Sequence, residues 1–443
     1  MARSQIIVAG GGPAGLAAAF RLQQAGHAVQ VLEQSLRAGS KMCSRRRDGF
    51  LLDKGAIFLP TTHRNLLGIA ADAGLSDQLV PGGFVFGLVR DGKVHRLDGE
   101  RIVRDFVRTQ ALSPRAKVAA ARLVPEVLRA RKATTTRIVE AGEYDGMTLA
   151  EWAEGNLSRE VSDHLLGPAI RGIFATEPSD VSRVEFLGIL ALFAGAKLLA
   201  FRGGMGAYAD GLADQLDVVL GAEVVEVRQT ADGAEVTWRE EDGEHVRSVD
   251  GCVVALPARR AVSVRPDMDQ WRRDYLSMVR AGKIITPNIA LDAAPAGMDT
   301  TYAMVPRSEH PFLGAIGFDH NKAPGRAPAG KGLLTATLTT DWCERHVDDH
   351  DDSLSAIAVE AADSFLPGTA DAVQFVEITR WEQQYSPVGH YARLGEFRFR
   401  SARHDKSVVL AGEYLSAPNL SAATASGEAA AAALDAELRK LAG

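Results

Sequence analysis

A glycine-rich turn near the start of the chain constrains its fold more than any other stretch. An apolar run at residues 6–9 leads into GGGPAG at residues 10–15, a helix-forming Ala/Leu segment follows, and a second short apolar run at residues 29–32 ends at Glu33. Strand, glycine turn, helix, strand and acid follow one another in the order of a βαβ unit that binds a dinucleotide. The pattern therefore predicts an α/β fold built on a Rossmann-like parallel sheet.

Each glycine of this turn has its own physical role. Gly10 lets the chain turn off the first strand, Gly12 lets backbone N–H groups approach a pyrophosphate, and Gly15 lets the helix lie close to the sheet. The phosphates then face the helix N-terminus, where unpaired N–H groups favour negative charge. Glu33 is placed to accept hydrogen bonds from a ribose 2′-OH and would repel a 2′-phosphate, which favours FAD or NAD. The residues of this unit predicted to bind the cofactor are Gly10, Gly12, Pro13, Ala14, Gly15, Glu33 and Gln34.

Composition sets the broad class of protein. A chain of 443 residues with 46% hydrophobic and 24% charged residues is long enough for two or three globular domains. A net charge of −6 argues against nucleic acid as a partner. Three widely spaced cysteines and a first strand that begins almost at the N-terminus indicate a reducing, cytoplasmic location. The apolar stretch at residues 186–196 is too short to span a bilayer; it is expected to be a buried helix, with peripheral membrane contact as the alternative.

Motifs after the turn resemble a known family. Arg37, Gly39 and Lys41 match an R-x-G-G-R/K segment, with Ser40 at the usual second glycine, and residues 48–56 match DGF-x-x-D/E-x-G. The chain here resembles the flavoprotein family that holds amine oxidases, protoporphyrinogen oxidases and phytoene-type desaturases. The resemblance implies that FAD is the cofactor and that Lys41, Gly55 and Ala56 lie along the flavin.

The middle and the end of the chain extend this resemblance. Residues 167–182 are similar to the P-x-x-x-G-I-Y-A-x-x-P-x-x-L-S segment of protoporphyrinogen oxidases, and the strand near Val225 matches one whose backbone contacts adenine. Residues 408–430 predict a strand, a loop and an Ala-rich helix whose N-terminus, by the resemblance, faces the flavin. The further cofactor-binding residues that it implies are Val225, Gly412, Glu413, Leu420 and Ser421.

The resemblance also implies a division of the chain. An FAD-binding domain is expected at residues 1–75, 203–265 and 395–443, interleaved with a mixed-sheet substrate domain at 76–100 and 266–394 and a helical subdomain at 101–202. Within these segments, residues 111–131 predict an amphipathic surface helix. Thr148 and Glu151 predict a capping box. Cys343, His346 and His350 are spaced to share one helix face, and a solvated face is favoured there over a metal site, so no metal is predicted.

The function implied is that of an FAD-dependent oxidase or desaturase. The leading hypothesis is dehydrogenation of a C–C or C–N bond of a small cyclic or hydrophobic substrate by hydride transfer to flavin N5, as in protoporphyrinogen oxidases. A flavin amine oxidase is the alternative, although Asn419 and Thr286 replace the aromatic residue and lysine usual in that branch. A flavin-binding protein without turnover is a third hypothesis. No second GxGxxG follows, so electrons are expected to leave to oxygen or another acceptor.

Candidate pocket residues come from the same motifs. His390 lies near the place where covalent FAD is attached to cysteine in some amine oxidases, so noncovalent FAD is expected. The candidates for catalytic or pocket roles are Arg171, Tyr385, His390 and Tyr414, with a Tyr or His as acid or base. A packing aromatic or a helix cap is the alternative role for each. The sequence leaves the substrate and the oligomeric state open.

Overall fold

A computed structural model describes residues 3–130, 138–404 and 406–442. Its strands are Gln5–Ala9 (β1), Ala28–Glu33 (β2), Ser44–Arg47 (β3), Phe50–Asp53 (β4), Leu59–Pro60 (β5), Leu79–Pro81 (β6), Val85–Arg90 (β7), Lys93–Asp98 (β8), Leu198–Phe201 (β9), Asp217–Leu220 (β10), Glu223–Gln229 (β11), Ala234–Glu240 (β12), Gly243–Val249 (β13), Gly251–Val254 (β14), Arg280–Leu291 (β15), Tyr302–Met304 (β16), Leu313–Phe318 (β17), Gly332–Leu338 (β18), Val373–Tyr385 (β19) and Val408–Leu410 (β20).

The α-helices are Pro13–Gln24 (α1), Arg64–Asp72 (α2), Ile102–Arg108 (α3), Pro114–Ala120 (α4), Val124–Ala130 (α5), Leu149–Asn156 (α6), Arg159–Val161 (α7), Gly167–Phe174 (α8), Arg183–Phe193 (α9), Gly206–Ala213 (α10), Ala258–Ser263 (α11), Gln270–Met278 (α12), Asp319–Lys322 (α13), Thr340–His346 (α14), Asp351–Asp363 (α15), Thr369–Ala372 (α16), His390–His404 (α17) and Leu420–Ala442 (α18). Among the described residues, no helix is both long and apolar enough to cross a bilayer.

The first sheet is parallel and joins the two ends of the chain. Its strand order is β10-β2-β1-β14-β20, so the N-terminal βαβ unit pairs with β14, which in turn pairs with β20 near the other end of the chain. Every residue of β1 from Ile6 onward is buried, as expected of a central strand covered by helices on both faces. Helix α18 packs against α1 so closely that a Cβ at Gly427 would lie 2.1 Å from the Ala14 carbonyl oxygen.

A second sheet of seven strands, ordered β19-β15-β18-β17-β16-β7-β8, forms the body of a separate layer. Strands β7 and β8 come from before residue 100, and the other five come from after residue 279. Apolar side chains of β15, β17 and β18 pack with α14 and α15 into one core. The predicted interleaving of an α/β cofactor domain with a mixed-sheet domain therefore matches the observed fold. Helix α12 falls in the segment that was expected to belong to the substrate domain. Its Tyr275 and Leu276 pack instead into the core behind the parallel sheet.

The helical part of the chain comprises α3 to α9, which lie between strands β8 and β9 in the sequence. Its core includes Leu112 and Ala116, Trp152 of α6, Phe174 of α8 and Phe186 of α9. The single helix predicted at 111–131 is wrong for the described residues: Ser113 caps α4, a 3₁₀ turn follows Ala120, and α5 begins at Val124. Residue 131 lies outside the described part.

The predicted face with Cys343, His346 and His350 is also wrong. Helix α14 ends at His346, His350 precedes α15, and Cys343 is buried against the backbone of Ile285. A different group of potential ligands, Glu240, Asp242 and His245, lies at the turn between β12 and β13. Exposed acidic groups of this kind are common without an ion, so we assign no metal site there.

The predicted capping box is present at the start of α6. The Thr148 hydroxyl accepts from the Glu151 N–H at 3.2 Å, and the Glu151 carboxylate accepts from the Thr148 N–H at 2.8 Å. A Thr148→Ala change is expected to lower the free energy of unfolding by about 1 kcal/mol, because it leaves a helix N–H without its partner. Chemical denaturation measures this effect. Thr230→Ala, at an exposed loop position, is the matched control, and an equal loss in both variants would contradict the assignment.

Candidate active site

The glycine turn holds β1 and α1 in close contact. Gly10 has φ +105°, a conformation that favours glycine, and its N–H donates to the Leu32 carbonyl at 2.8 Å. A Cβ at Gly15 would lie 1.8 Å from the Gly10 carbonyl oxygen. Only a glycine at position 15 permits this approach of helix to strand.

The N-terminus of α1 is open for a ligand. Its N-cap is Gly12, so no side chain of the N-cap residue covers the helix end. Pro13 and Ala14 begin the first turn. A Cβ at Gly12 would meet only Ser40, at 3.5 Å, so the protein itself does not require a glycine there. The missing side chain leaves room next to unpaired helix N–H groups, as a bound pyrophosphate requires.

Glu33 ends β2 beside this turn. Its two carboxylate oxygens accept from the N–H groups of Gly11 and Ser35 at 2.8 and 2.9 Å, and the side chain is buried. Each oxygen retains a second lone pair, which a ribose hydroxyl can reach. Gln34 follows in an exposed position, and Val225 lies at a bulge of β11. The turn, the helix end and the acid together fit the adenosine diphosphate half of FAD.

A large cavity is lined by residues of the second sheet, of the helical part and of the segments that follow β4 and β20. Its empty volume, including its mouth, is about 1220 Å³. Elements from all three parts of the fold contribute to its wall. The residues predicted to bind the flavin that line it are Lys41, Gly55, Ala56, Glu413 and Leu420. Motif positions from the two ends of the sequence are thus brought to one cavity.

The predicted flavin-side residues are held by local contacts. The Lys41 ammonium forms an ion pair with the Glu413 carboxylate across the cavity wall. Gly412 donates its N–H to Ser426 at 2.9 Å, and the buried Ser421 hydroxyl has no protein partner among the described residues. An unpaired hydroxyl in the first turn of α18 is available to a bound polar group.

A buried ion pair fixes the loop that carries Gly55. Asp53 accepts from the Arg326 guanidinium at 2.5 Å and from the Ser44 hydroxyl at 2.6 Å. Burial alone would raise the pKa of Asp53, but Lys322 and Arg326 lower it well below its usual range. The carboxylate therefore stays ionised and ties β4 to the segment between β17 and β18 of the second sheet.

The cavity wall contains both aromatic and polar side chains. A Cβ at Gly55 would lie 3.3 Å from the Trp381 ring, whose N–H donates to the Thr286 hydroxyl at 2.8 Å. Thr286 and Asn419, the two departures from the amine oxidase pattern, both line the cavity. Trp381 and Phe193 supply aromatic surface there.

A buried carboxyl lies in the same cavity wall. Glu185 of α9 accepts from the Tyr391 hydroxyl of α17 at 2.8 Å, and both residues line the cavity. Burial raises the pKa of Glu185 to about 7, and the nearby Asp145 adds to the rise, while hydrogen bonds including that from Tyr391 oppose it. A carboxyl whose pKa lies near 7 can accept or release a proton at physiological pH.

The four side chains predicted to lie in the pocket, Arg171, Tyr385, His390 and Tyr414, do not line the cavity, so their prediction as pocket residues is corrected. Tyr414 donates to the Ala411 carbonyl at 3.1 Å, and His390 is buried beside Tyr275, with its pKa lowered to about 4 by burial. Tyr385 is half-buried against the helical core.

Arg171 is engaged elsewhere. Its guanidinium pairs with Glu177 and donates to the carbonyls of His310, Pro311 and Leu313. Immediate neighbours of three of these four residues do line the cavity, namely Gly172, Tyr391 and Glu413.

Sequence reasoning missed Glu185 and Tyr391. The available signal was an acid within a strongly apolar helix, since a lone carboxylate is rarely buried there without a role.

Comparisons with known proteins agree with this geometry. Residues 13–435 match the model of the family described as flavin containing amine oxidoreductase. The probable flavin-containing monoamine oxidase A of Dictyostelium discoideum is 24% identical over 368 residues, which cover 77% of this chain and 76% of that protein. A shorter stretch of 180 residues is 27% identical to protoporphyrinogen oxidase 2 of Arabidopsis thaliana, covering 40% of this chain and 34% of that protein.

Solved structures show the same fold at low identity. The putative protoporphyrinogen oxidase from Exiguobacterium sp. 255-15 superposes with a TM-score of 0.77 and 18% identity over 99% of this chain and 100% of that chain. Cyclohexylamine oxidase from Brevibacterium oxydans IH-35A superposes with a TM-score of 0.73 and 18% identity, over the same shares of the two chains. At such identities the likeness establishes the fold alone.

Proposed function

The chain belongs to the flavin-containing amine oxidoreductase family, and from that premise we propose that it oxidises the C–N bond of a small, largely apolar amine. The predicted family, FAD cofactor and oxidase class are confirmed by this membership. The choice of substrate is our own inference and rests on the cavity. When bound, FAD supplies an acceptor for a hydride equivalent and passes the electrons to oxygen or another acceptor.

The buried carboxyl of Glu185 carries the proposal. The cavity wall is mostly apolar, with Ile57, Phe174 and Phe193 among its members. Among the described residues that line it, Lys41 is the only lysine or arginine, and it is paired with Glu413. The carboxyl of Glu185 therefore has no cation opposite it, and a protonated amine is the substrate group that complements it.

The residues of this chain then have separate tasks. We assign Gly12 and Glu33 to the adenosine diphosphate half of the cofactor, and Lys41, Gly55 and Glu413 to the flavin half. Glu185 takes the proton from the substrate ammonium, because an amine must be neutral before it gives up a hydride. The aromatic faces of Trp381 and Tyr391 stabilise the cation before that step. No cysteine lines the described part of the cavity, in keeping with noncovalent FAD.

Oxidation of a carbon ring is the second candidate. The motif at residues 167–182 favours it, and the apolar wall would accept a neutral ring. A porphyrinogen is a poor fit, since its carboxylates need cations and the lysine of the described wall is already paired. A small neutral alicyclic substrate has no such requirement.

Reduction of the bound flavin under anaerobic conditions separates these candidates. We expect bleaching of the yellow absorbance of the oxidised flavin with cyclic and aromatic monoamines but not with porphyrinogen. Bleaching by a cyclic ketone and by no amine would favour the second candidate. Bleaching by none of these compounds, in a protein that dithionite reduces normally, would favour a flavin-binding protein without turnover.

A further inference from the structure

The segment from α3 to α5 exposes apolar side chains in unusual density. Of the thirteen large hydrophobic side chains exposed in the described chain, six lie between residues 102 and 128. Val103 and Val118 are each 77% exposed. These six, which we name the α3–α5 surface, are Ile102, Val103, Val107, Val118, Val124 and Leu128. Isolated exposed residues need no explanation, but a cluster of this size marks an interaction site.

The six side chains are distributed over three short helices that follow one another in the chain. Val103 and Val107 are four residues apart on α3, and Val124 and Leu128 are four apart on α5, so each pair shares one helix face. The Lys117 ammonium of α4 donates to the Val107 carbonyl at 2.8 Å, which holds α4 against the end of α3. The opposite faces of α4 pack into the helical core through Ala116 and Ala120.

Positive charge accompanies these side chains. Residues 101–129 contain seven basic and two acidic residues, in a chain whose net charge is −6. The two acids, Asp105 and Glu126, are buried and paired with arginines. Within the part of the chain that the structure describes, Arg101, Arg108 and Arg115 are exposed and make no ion pair.

We propose that the α3–α5 surface docks on an anionic lipid bilayer, with its aliphatic side chains at the acyl boundary and its arginines among the headgroups. Aliphatic residues interleaved with arginines are typical of helices that lie in a membrane interface. A protein partner is less well matched, because none of the six exposed residues is aromatic and aromatic anchors dominate protein interfaces. The stretch at residues 186–196, for which membrane contact was the alternative, is less suited to this role, because Phe186, Leu187 and Ile189 of α9 are buried.

Vesicle flotation of the holoprotein tests the proposal. We expect binding to phosphatidylcholine vesicles that contain about one third phosphatidylglycerol, no binding to pure phosphatidylcholine, and release by high salt. An Arg101→Gln/Arg108→Gln/Arg115→Gln variant should bind roughly a hundredfold more weakly, at about fivefold per arginine. A Val103→Ser/Val107→Ser/Val118→Ser variant should lose about tenfold or more, through the apolar area no longer buried.

Matched controls lie elsewhere on the surface. Arg64→Gln/Arg202→Gln/Arg259→Gln removes three exposed arginines, and Val246→Ser removes a 60% exposed valine. These controls should bind as the unchanged protein does, and every variant should keep its FAD absorbance. Equal binding by all variants, or no binding to anionic vesicles, would overturn the proposal. So would a dimer in size-exclusion chromatography that only the valine variant loses, because the surface would then belong to a second copy of the chain.

Discussion

A Gly12→Val variant is expected to fold and to purify without FAD. Gly12 has φ −76° and ψ 177°, an extended conformation that valine adopts freely. The nearest atom to a Cβ there is the Ser40 Cβ at 3.5 Å, an ordinary contact. The side chain would instead occupy the space in front of α1, where the phosphates must approach the backbone N–H groups. Losing two charge-assisted hydrogen bonds should weaken FAD binding by roughly 10²–10⁴-fold.

Flavin absorbance per protein and far-UV circular dichroism measure the two parts of this prediction. Gly68→Ala is the control, because a Cβ in that position of α2 meets nothing within 4 Å, and it should keep both FAD and fold. Gly15→Ala is expected to lose both, since its Cβ would force α1 away from β1. A yellow Gly12→Val protein with full FAD content would place the cofactor elsewhere.

These glycines also show how much the sequence could predict. Gly10, Gly15 and Glu33 have roles fixed by local geometry, so their pattern specifies the βαβ unit before any tertiary contact is known. The observed strand β2 extends one residue beyond each end of the predicted one, and helix α1 begins at Pro13. The flavin side was predictable only through resemblance, because Lys41, Gly55 and Glu413 meet through long-range folding that no local pattern encodes.

The pocket residues show where sequence reasoning failed. His390 and Tyr391 are adjacent at the start of α17, and successive residues of a helix point about 100° apart. A motif locates the segment but does not say which neighbour faces the cavity, so the prediction chose His390 where Tyr391 lines the wall. Arg171 and Tyr414 were chosen in the same way, one position from Gly172 and Glu413. The break between α4 and α5 was missed because apolar spacing continues across the 3₁₀ turn.

Charge within the cavity changes the balance between the two sequence hypotheses. Motifs at residues 167–182 favoured a protoporphyrinogen oxidase-like activity, and Asn419 and Thr286 weighed against an amine oxidase. The cavity supplies other aromatic surface at Trp381 and Tyr391, so an amine can still be enclosed. The carboxyl of Glu185, which has no cation opposite it in the cavity wall, then favours the amine. Family motifs could not indicate this, since they describe the scaffold and not the side chain that faces the substrate.

Replacement of Glu185 by glutamine is expected to have the largest effect on turnover. The change keeps the size of the side chain and a hydrogen-bond acceptor for Tyr391, but removes the carboxyl that we propose takes the substrate proton. Loss of a general base lowers the rate of flavin reduction by roughly 10²–10⁴-fold. Stopped-flow reduction by a cyclic monoamine measures it, and FAD content should be unchanged.

The pH dependence of stability provides an independent check on Glu185. Its pKa is raised from 4.5 to about 7 in the folded protein, so the folded state holds its proton more tightly than the unfolded state does. The free energy of unfolding should therefore fall as the pH rises from about 4.5 to about 7, and stay lower above that range. Glu185→Gln should escape this loss and gain on the order of 3 kcal/mol relative to the unchanged protein above pH 7. Equal pH dependence in both proteins would contradict the assignment.

Tyr391→Phe separates proton transfer from simple packing. For the unchanged protein, flavin reduction should rise with pH through a limb near 7, as the Glu185 carboxyl ionises. The Tyr391 hydroxyl stabilises the ionised carboxylate through its hydrogen bond, so its removal should raise the pKa of Glu185 further and move this limb to higher pH. Glu185→Gln should lack the limb altogether. If both variants kept the limb of the unchanged protein, the titrating group would be another residue and Glu185 would only fill the wall of the cavity.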